Sequence, residues 1–206
     1  MEIGTMRQEQ AASTRKRLLE SATQIFTEKG YEGASVRAIN RNVNLANGLL
    51  YHYFPGGKKE LFKAVIEENR NEIFLAIEQL KNEIYIELPL KEMLEKIYMG
   101  FVDLIDARLD IVRMFFREKE VLECVSKEQI MQVIGTKDPW IADMLRQKYL
   151  RGEVRKMDFE MAGMQIASIL INHAVIKMVT DCESILEIPE ARKRVIDYQA
   201  SMWLSI

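Results

Sequence analysis

Three short clusters carry groups better suited to an anion or a base edge than to a protein core. Tyr51-His52-Tyr53 puts three hydrogen-bonding rings within one helical turn, so they cannot all enter one small core and at least two face outward. Gly57-Lys58 places a pliant backbone, N–H groups and an ammonium at the start of a helix, an arrangement that can take up a phosphate. A plain turn followed by a surface lysine has the same sequence. Arg15-Lys16-Arg17 follow Ser13-Thr14, which reads as a helix start. Cations in a first turn oppose the helix dipole at a cost of about a few tenths of a kcal/mol each. A polyanionic partner would compensate them, and three solvated charges are the plainer reading.

The elements that must position these groups read as helices throughout. The chain has 206 residues, 48% hydrophobic, with only 10 Gly and 4 Pro and no useful β-branched alternation. A first helix carries Leu18, Ala22, Ile25 and Phe26 on one stripe and stops at Gly30. A second runs over 35–43 from a Ser35 cap and ends near Asn44, the residue that best replaces glycine in a left-handed cap. A third spans about 46–54 and is terminated by Pro55-Gly56-Gly57. A fourth runs from Lys58 to about Lys81. Further helices start at Pro89, Asp110, Asp138-Pro139, Asp158 and Pro189, with breaks near Gly135 and at Gly152. The expectation is an all-α protein of about nine helices: a three-helix head over residues 1–57, arm included, and a larger helical body over 58–206.

Two short helices joined by a tight turn, over 35–43 and 46–54, form the geometry that presents a second helix to a DNA major groove. That spacing alone is common among helical proteins. Charge adds to it, since residues 1–63 carry a net +4 and the remaining residues a net −6.

The ordered segments Thr14-Arg15-Lys16-Arg17-Leu18-Leu19, Phe26-Thr27-Glu28-Lys29-Gly30-Tyr31, Ser35-Val36-Arg37-Ala38-Ile39, Gly48-Leu49-Leu50-Tyr51-His52-Tyr53-Phe54 and Lys58-Lys59-Glu60-Leu61 resemble the head of the TetR/AcrR regulators over about residues 10–64. The resemblance implies a cytoplasmic DNA-binding transcription regulator: a homodimer whose paired third helices read a palindromic double-stranded operator, most simply a repressor released by a small apolar or amphipathic inducer. It implies that Tyr51, Lys58 and Ser35 contact phosphates, that Asn47, Gly48, Leu49 and His52 lie nearest base edges, and that Arg37 reaches in from the second helix; Arg15, from the basic cluster, joins them as a DNA-binding candidate. The turn departs from the family pattern. Ala46 stands where a capping serine is usual, so Asn47 either caps the third helix or reads a base, and Asn40 replaces a small residue.

The body shows one long apolar run, 161–176, shorter than a membrane span and read as a buried helix. Gly163, Ala167 and Ala174 along it permit close helix approach. With Val195, Met202 and Ile206 on the last helix they suggest a four-helix dimer interface, the alternative being the core of a monomer. Tyr98, Phe101, Phe115, Met144, Met164 and His173 are candidates for lining an adaptable ligand pocket, against the alternative of ordinary core. Cys124 and Cys182 have no metal-ligand or disulfide spacing and read as buried thiols. No nucleophile–base pair, metal set or phosphate loop suggests an enzyme, and no cofactor is expected. A helical small-molecule binding protein without DNA binding remains the alternative.

Overall fold

The computed structural model describes residues 2–44, 46, 48–118, 121, 140–180 and 182–205. Among them lie nine α-helices: α1 (Glu2–Gly33), α2 (Val36–Asn42), α3 (Leu49–Tyr53), α4 (Gly57–Glu83), α5 (Leu90–Asp106), α6 (Leu109–Arg117), α7 (Trp140–Leu150), α8 (Phe159–Val179) and α9 (Pro189–Trp203). The chain divides into two compact units, the first made of Met1–Glu72 with Asp110–Val125, the second of Ile73–Leu109 with Ser126–Ile206. The head unit therefore extends past residue 57, through part of α4, and takes in most of α6.

The head is built on the stripe of α1. Leu18, Leu19, Ala22, Ile25 and Phe26 are buried with Ile39 of α2, Leu50 of α3, and Leu61, Phe62, Val65 and Ile66 of α4. Met114 of α6 joins the same core. Phe26 and Phe62 pack edge to face at 4.9 Å, and Tyr31 meets Phe62 at 4.8 Å. Gly30 breaks α1 as its sequence suggests: its φ of 72° and ψ of 173° lie where only glycine is comfortable. Ser35 caps α2 by accepting from the Ala38 N–H at 3.1 Å, and Asn44 adopts a φ of 54°. The start of α1 differs from expectation. The helix begins at Glu2, because Gln8 to Ala12 are good helix formers with no breaker among them, so Arg15, Lys16 and Arg17 sit mid-helix and do not oppose a dipole there.

The body packs α5 against α8 and α9, and α8 against α7. Leu90, Met93, Leu94, Ile97 and Val102 of α5 share a core with Leu145, Ile166 and Trp203. Lys148 is fully buried and satisfied: its Nζ donates to Ile86 O (3.1 Å), Leu88 O (2.6 Å) and Glu153 Oε2 (2.5 Å). Asp158 caps α8 through the Met161 N–H at 3.0 Å, Gly152 turns with a φ of 76°, and Pro189 opens α9.

Two expectations for the body need correcting, for α8 and for Cys182. The α8 helix is 21 residues long, apolar enough by length and composition to cross a membrane, yet only 22% of that window is buried inside the chain. It is not a wholly buried helix. Ala162, Ile166, Leu170 and His173 face inward, whereas Met161, Met164, Val175 and Val179 are exposed. Gly163 faces Ala142 of α7, and Val195 and Met202 pack partly against the body core. Cys182 is exposed, not buried. Gly135, Asp138-Pro139, Cys124 and Ile206 lie outside the described residues.

Candidate nucleic-acid interface

The short helix α3 is anchored from below by Leu50, fully buried, and by Phe54 just past its end, 1% exposed. That anchoring decides which side chains face out. Tyr51 is 53% exposed, His52 is exposed with its ring edge-on to Tyr53 at 5.2 Å, and Leu49 is half-buried. Gly48 stands at the N-cap position with open space where a Cβ would sit and no side-chain cap, in keeping with the loss expected from Ala46. Asn47 lies outside the described residues. The Tyr51 ring lies against Gly57, whose φ is 66° and where a Cβ would sit 3.2 Å from Tyr51 Cε1. Gly57 thus holds the exposed tyrosine close to the start of α4.

The remaining expected contacts divide into two groups. Arg37 is exposed on α2. Arg15 is exposed with its guanidinium 5.2 Å over the Phe54 ring, which aims it past the end of α3. Ser35, also exposed, already uses its hydroxyl as the α2 cap. Lys58 differs most from a free phosphate ligand. Its ammonium donates to Tyr31 O at 2.8 Å and Ala34 O at 3.2 Å and stands 4.4 Å over the Tyr31 ring, binding the start of α4 to the link between α1 and α2. The Gly56 N–H is likewise occupied, donating to Glu60 Oε2 at 2.6 Å. The expected phosphate cradle at Gly57-Lys58 is in this structure a brace for the head.

Sequence reasoning missed the other braces. Arg17 Nη2 donates to Val43 O at 2.8 Å at the end of α2, and Ser21 Oγ to Ile39 O at 3.1 Å. Arg117 Nη2 donates to Phe26 O and Thr27 O, both at 3.2 Å, and its Nε holds Glu118 Oε1 at 2.8 Å. Glu118 Oε2 accepts from the Tyr31 N–H at 3.1 Å, just beyond the Gly30 break. No local pattern signals a contact across some ninety residues of chain.

The candidate pocket residues lie in both units, Phe115 in the first and the rest in the second. Phe101 and His173 meet at 6.4 Å between ring centroids. Tyr98 is fully buried and donates to Gln199 Oε1 at 2.6 Å, with burial pushing its phenol pKa well up. Met144 packs partly against the body core. Phe115 packs against the head core, and Met164 is exposed. His173 is fully buried with Nδ1 2.6 Å from Ser184 Oγ. Burial lowers its pKa, against the opposing pull of Glu187 and Asp106. Gln199 and Ser184 were missed. Ser184-x-x-Glu187 is a capping-box spacing that could have pointed to the second: the Ser184 N–H donates to Glu187 Oε2 at 2.7 Å.

Residues 18–65 match the family described as bacterial regulatory proteins, tetR family. The chain is 26% identical over 144 residues to the HTH-type transcriptional regulator UidR of Escherichia coli (strain K12), a stretch covering 69% of this chain and 62% of that regulator. Over 57 residues, 28% of this chain and 30% of the relative, it is 39% identical to the HTH-type transcriptional repressor AcnR of Corynebacterium efficiens. In fold it is similar to the transcriptional regulator FadR of Bacillus subtilis, solved with stearoyl-CoA, at a TM-score of 0.62 and 16% identity over 88% of this chain and 96% of the other. In residues 18–65, its head, the chain is thus similar to the tetR family of bacterial regulatory proteins.

Proposed function

We propose that this protein is a cytoplasmic transcription regulator that binds DNA as a homodimer, most simply a repressor of a palindromic operator released by a small apolar or amphipathic ligand. The observation that carries the reading is α3: a helix fixed by Leu50 and Phe54 that turns Gly48, Tyr51 and His52 to solvent. On this reading Tyr51, Arg15 and Ser35 contact phosphates, Gly48, Leu49 and His52 approach base edges with Asn47 beside them, and Arg37 reaches in from α2. Lys58 acts mainly by holding α4 to the rest of the head. The exposed apolar face of α8, with Met161, Met164, Val175 and Val179, supports its pairing with a second copy, together with α9. The two regulators named above support the DNA-binding half of the proposal. The acyl-CoA in the FadR structure supports a ligand-binding body.

Selection of bound fragments from genomic DNA at moderate salt tests the proposal. A recovered palindrome bound in the nanomolar range, with affinity falling steeply as salt rises, is expected. Binding without sequence preference would overturn it. Tyr51→Ala with His52→Ala should weaken operator binding by at least about tenfold with little loss of stability, because both side chains are exposed. Lys58→Ala is the wrong probe, since it removes a brace along with any phosphate contact.

A further inference from the structure

Two buried side chains of the body end in nitrogen atoms with no hydrogen-bond partner among the described residues: His173 Nε2 on α8 and Gln199 Nε2 on α9. Each side chain meets a ring of α5. Gln199 is held by Tyr98, and His173 lies edge-on to Phe101, three residues further along the same helix and so on nearly the same side. An unmade hydrogen bond inside a protein carries the full desolvation penalty of the polar group, and native interiors leave few of them. Two such atoms approached through neighbouring turns of one helix call for a partner that is not protein.

The surroundings fix the polarity of both. The 2.6 Å contact between Tyr98 and Gln199 has the length of an O–H···O bond rather than N–H···O, so the phenol donates to Oε1 and the amide NH2 is the open end. Ser184 Oγ accepts from the Leu186 N–H at 3.2 Å and lies 2.6 Å from His173 Nδ1. The serine oxygen has a second lone pair, so the 2.6 Å contact fits either tautomer; we take the one in which the hydroxyl donates to Nδ1 and the imidazole proton sits on Nε2. Both open atoms are then donors. The charge beside His173 is weighted towards acid: Lys177 bonds Glu187 at 2.8 Å and faces Asp106 at 3.6 Å, one cation between two carboxylates. An anion would be repelled there, and the neighbouring core is apolar, with Met93, Leu94 and Ile97 on α5.

We infer that the body binds an uncharged, largely apolar molecule whose acceptor oxygens, of the carbonyl or ester kind, take up His173 Nε2–H and the Gln199 amide between α5, α8 and α9. This deepens the ligand half of the proposed function and rests on it. His173 and Gln199 are then the residues that set ligand polarity. Tyr98 and Ser184 are positioning residues that hold each donor in its orientation.

The test uses the full-length protein without DNA. The probes are straight-chain methyl esters from butanoate to dodecanoate, each compared with the sodium carboxylate of the same length, titrated by calorimetry. At least one ester should bind about tenfold or more tightly than its carboxylate, and Gln199→Leu and His173→Phe should each weaken it by about fivefold to tenfold. With only two histidines in the chain, imidazole ¹⁵N spectra of the wild-type protein resolve His173 from the exposed His52 even if a variant fails to fold. They should report a neutral ring protonated at Nε2, with that signal moving when ester is added. The inference is overturned if no ester in the series binds, if the carboxylates bind better, if folded variants bind as wild type does, or if the proton sits on Nδ1. Loss of ester binding with an operator still recovered removes this inference alone. Ester binding without any preferred DNA sequence removes the regulator reading alone.

Discussion

Head and body differ in what their polar side chains hold together. In the head, long cations reach back to carbonyls at helix ends: Arg17 to Val43 at the end of α2, Lys58 to Tyr31 and Ala34, Arg117 to Phe26 and Thr27 near the end of α1. Helix ends leave their last carbonyls unsatisfied, and a charged donor that bridges two elements fixes their relative angle as well as meeting the bond. The body also ties down its buried ammonium, Lys148, but leaves the buried nitrogens His173 Nε2 and Gln199 Nε2 without a hydrogen-bond partner. The difference tracks the surface each region offers. The head presents an outer face on α3, which must be held still to be read against DNA, whereas the body offers an inner surface that a guest can complete.

The comparison breaks first at Lys58. Its two charge-assisted hydrogen bonds and its contact with the Tyr31 ring predict that Lys58→Ala lowers unfolding free energy by about 3 kcal/mol. Exposed Lys63→Ala should stay within about 0.5 kcal/mol of wild type. Urea unfolding of the two variants side by side decides it, and equal midpoints would mean that the head is not braced in this way. Next comes Gly30→Ala, at about 2 kcal/mol, because its φ of 72° and ψ of 173° exclude a Cβ and the added carbon would sit 2.8 Å from Glu118 Oε1. If the strain is of the backbone, Glu118→Ala should not rescue Gly30→Ala in a double-mutant cycle.

These first two predictions also mark the line between what the sequence discloses and what it does not. Gly30, Ser35, Asn44, Gly152, Asp158 and Pro189 could be placed in advance because each acts through the local geometry of its own backbone. The outward turn of Tyr51 and His52 followed from the same local logic, since one turn of helix cannot bury three rings. The start of α1 was misplaced by more than ten residues because nothing in Gln8 to Ala12 resists helix, and a plausible cap at Ser13 does not make one. Lys58 and Arg117 were illegible as braces for a different reason: their partners are carbonyls 27 and about 90 residues away, and a carbonyl has no signature in sequence. The α8 helix failed a third way. Apolarity around its circumference shows that each face meets something apolar without saying whether that is its own chain.

Helix caps should separate the two regions less. Ser35→Ala in the head and Asp158→Ala in the body each remove one side-chain acceptor from an N-terminal N–H, for Ala38 at 3.1 Å and Met161 at 3.0 Å. Each should cost about 1 kcal/mol in thermal or urea unfolding. A clear excess at Ser35 would mean that the turn before α2 also steadies the rest of the head, sharpening the contrast.

The smallest effect belongs to the body and depends on pH. Burial lowers the His173 pKa below its ordinary value of 6.5, so the folded protein holds the ring neutral at a pH where the unfolded chain protonates it. The sign follows from proton counting. Above 6.5 the ring is neutral in both states and the term vanishes. As pH falls through 6.5 the unfolded state gains a proton that the folded state refuses, and stability declines until the folded pKa is reached. His173→Gln should therefore flatten the stability profile below pH 6.5 relative to wild type while leaving the profile above neutrality parallel to it. Unfolding midpoints of the two proteins from pH 5 to 8 provide the check. An unchanged slope in His173→Gln would show that the buried imidazole is already matched in both states, and the open donor proposed for the body would lose its neutral ring.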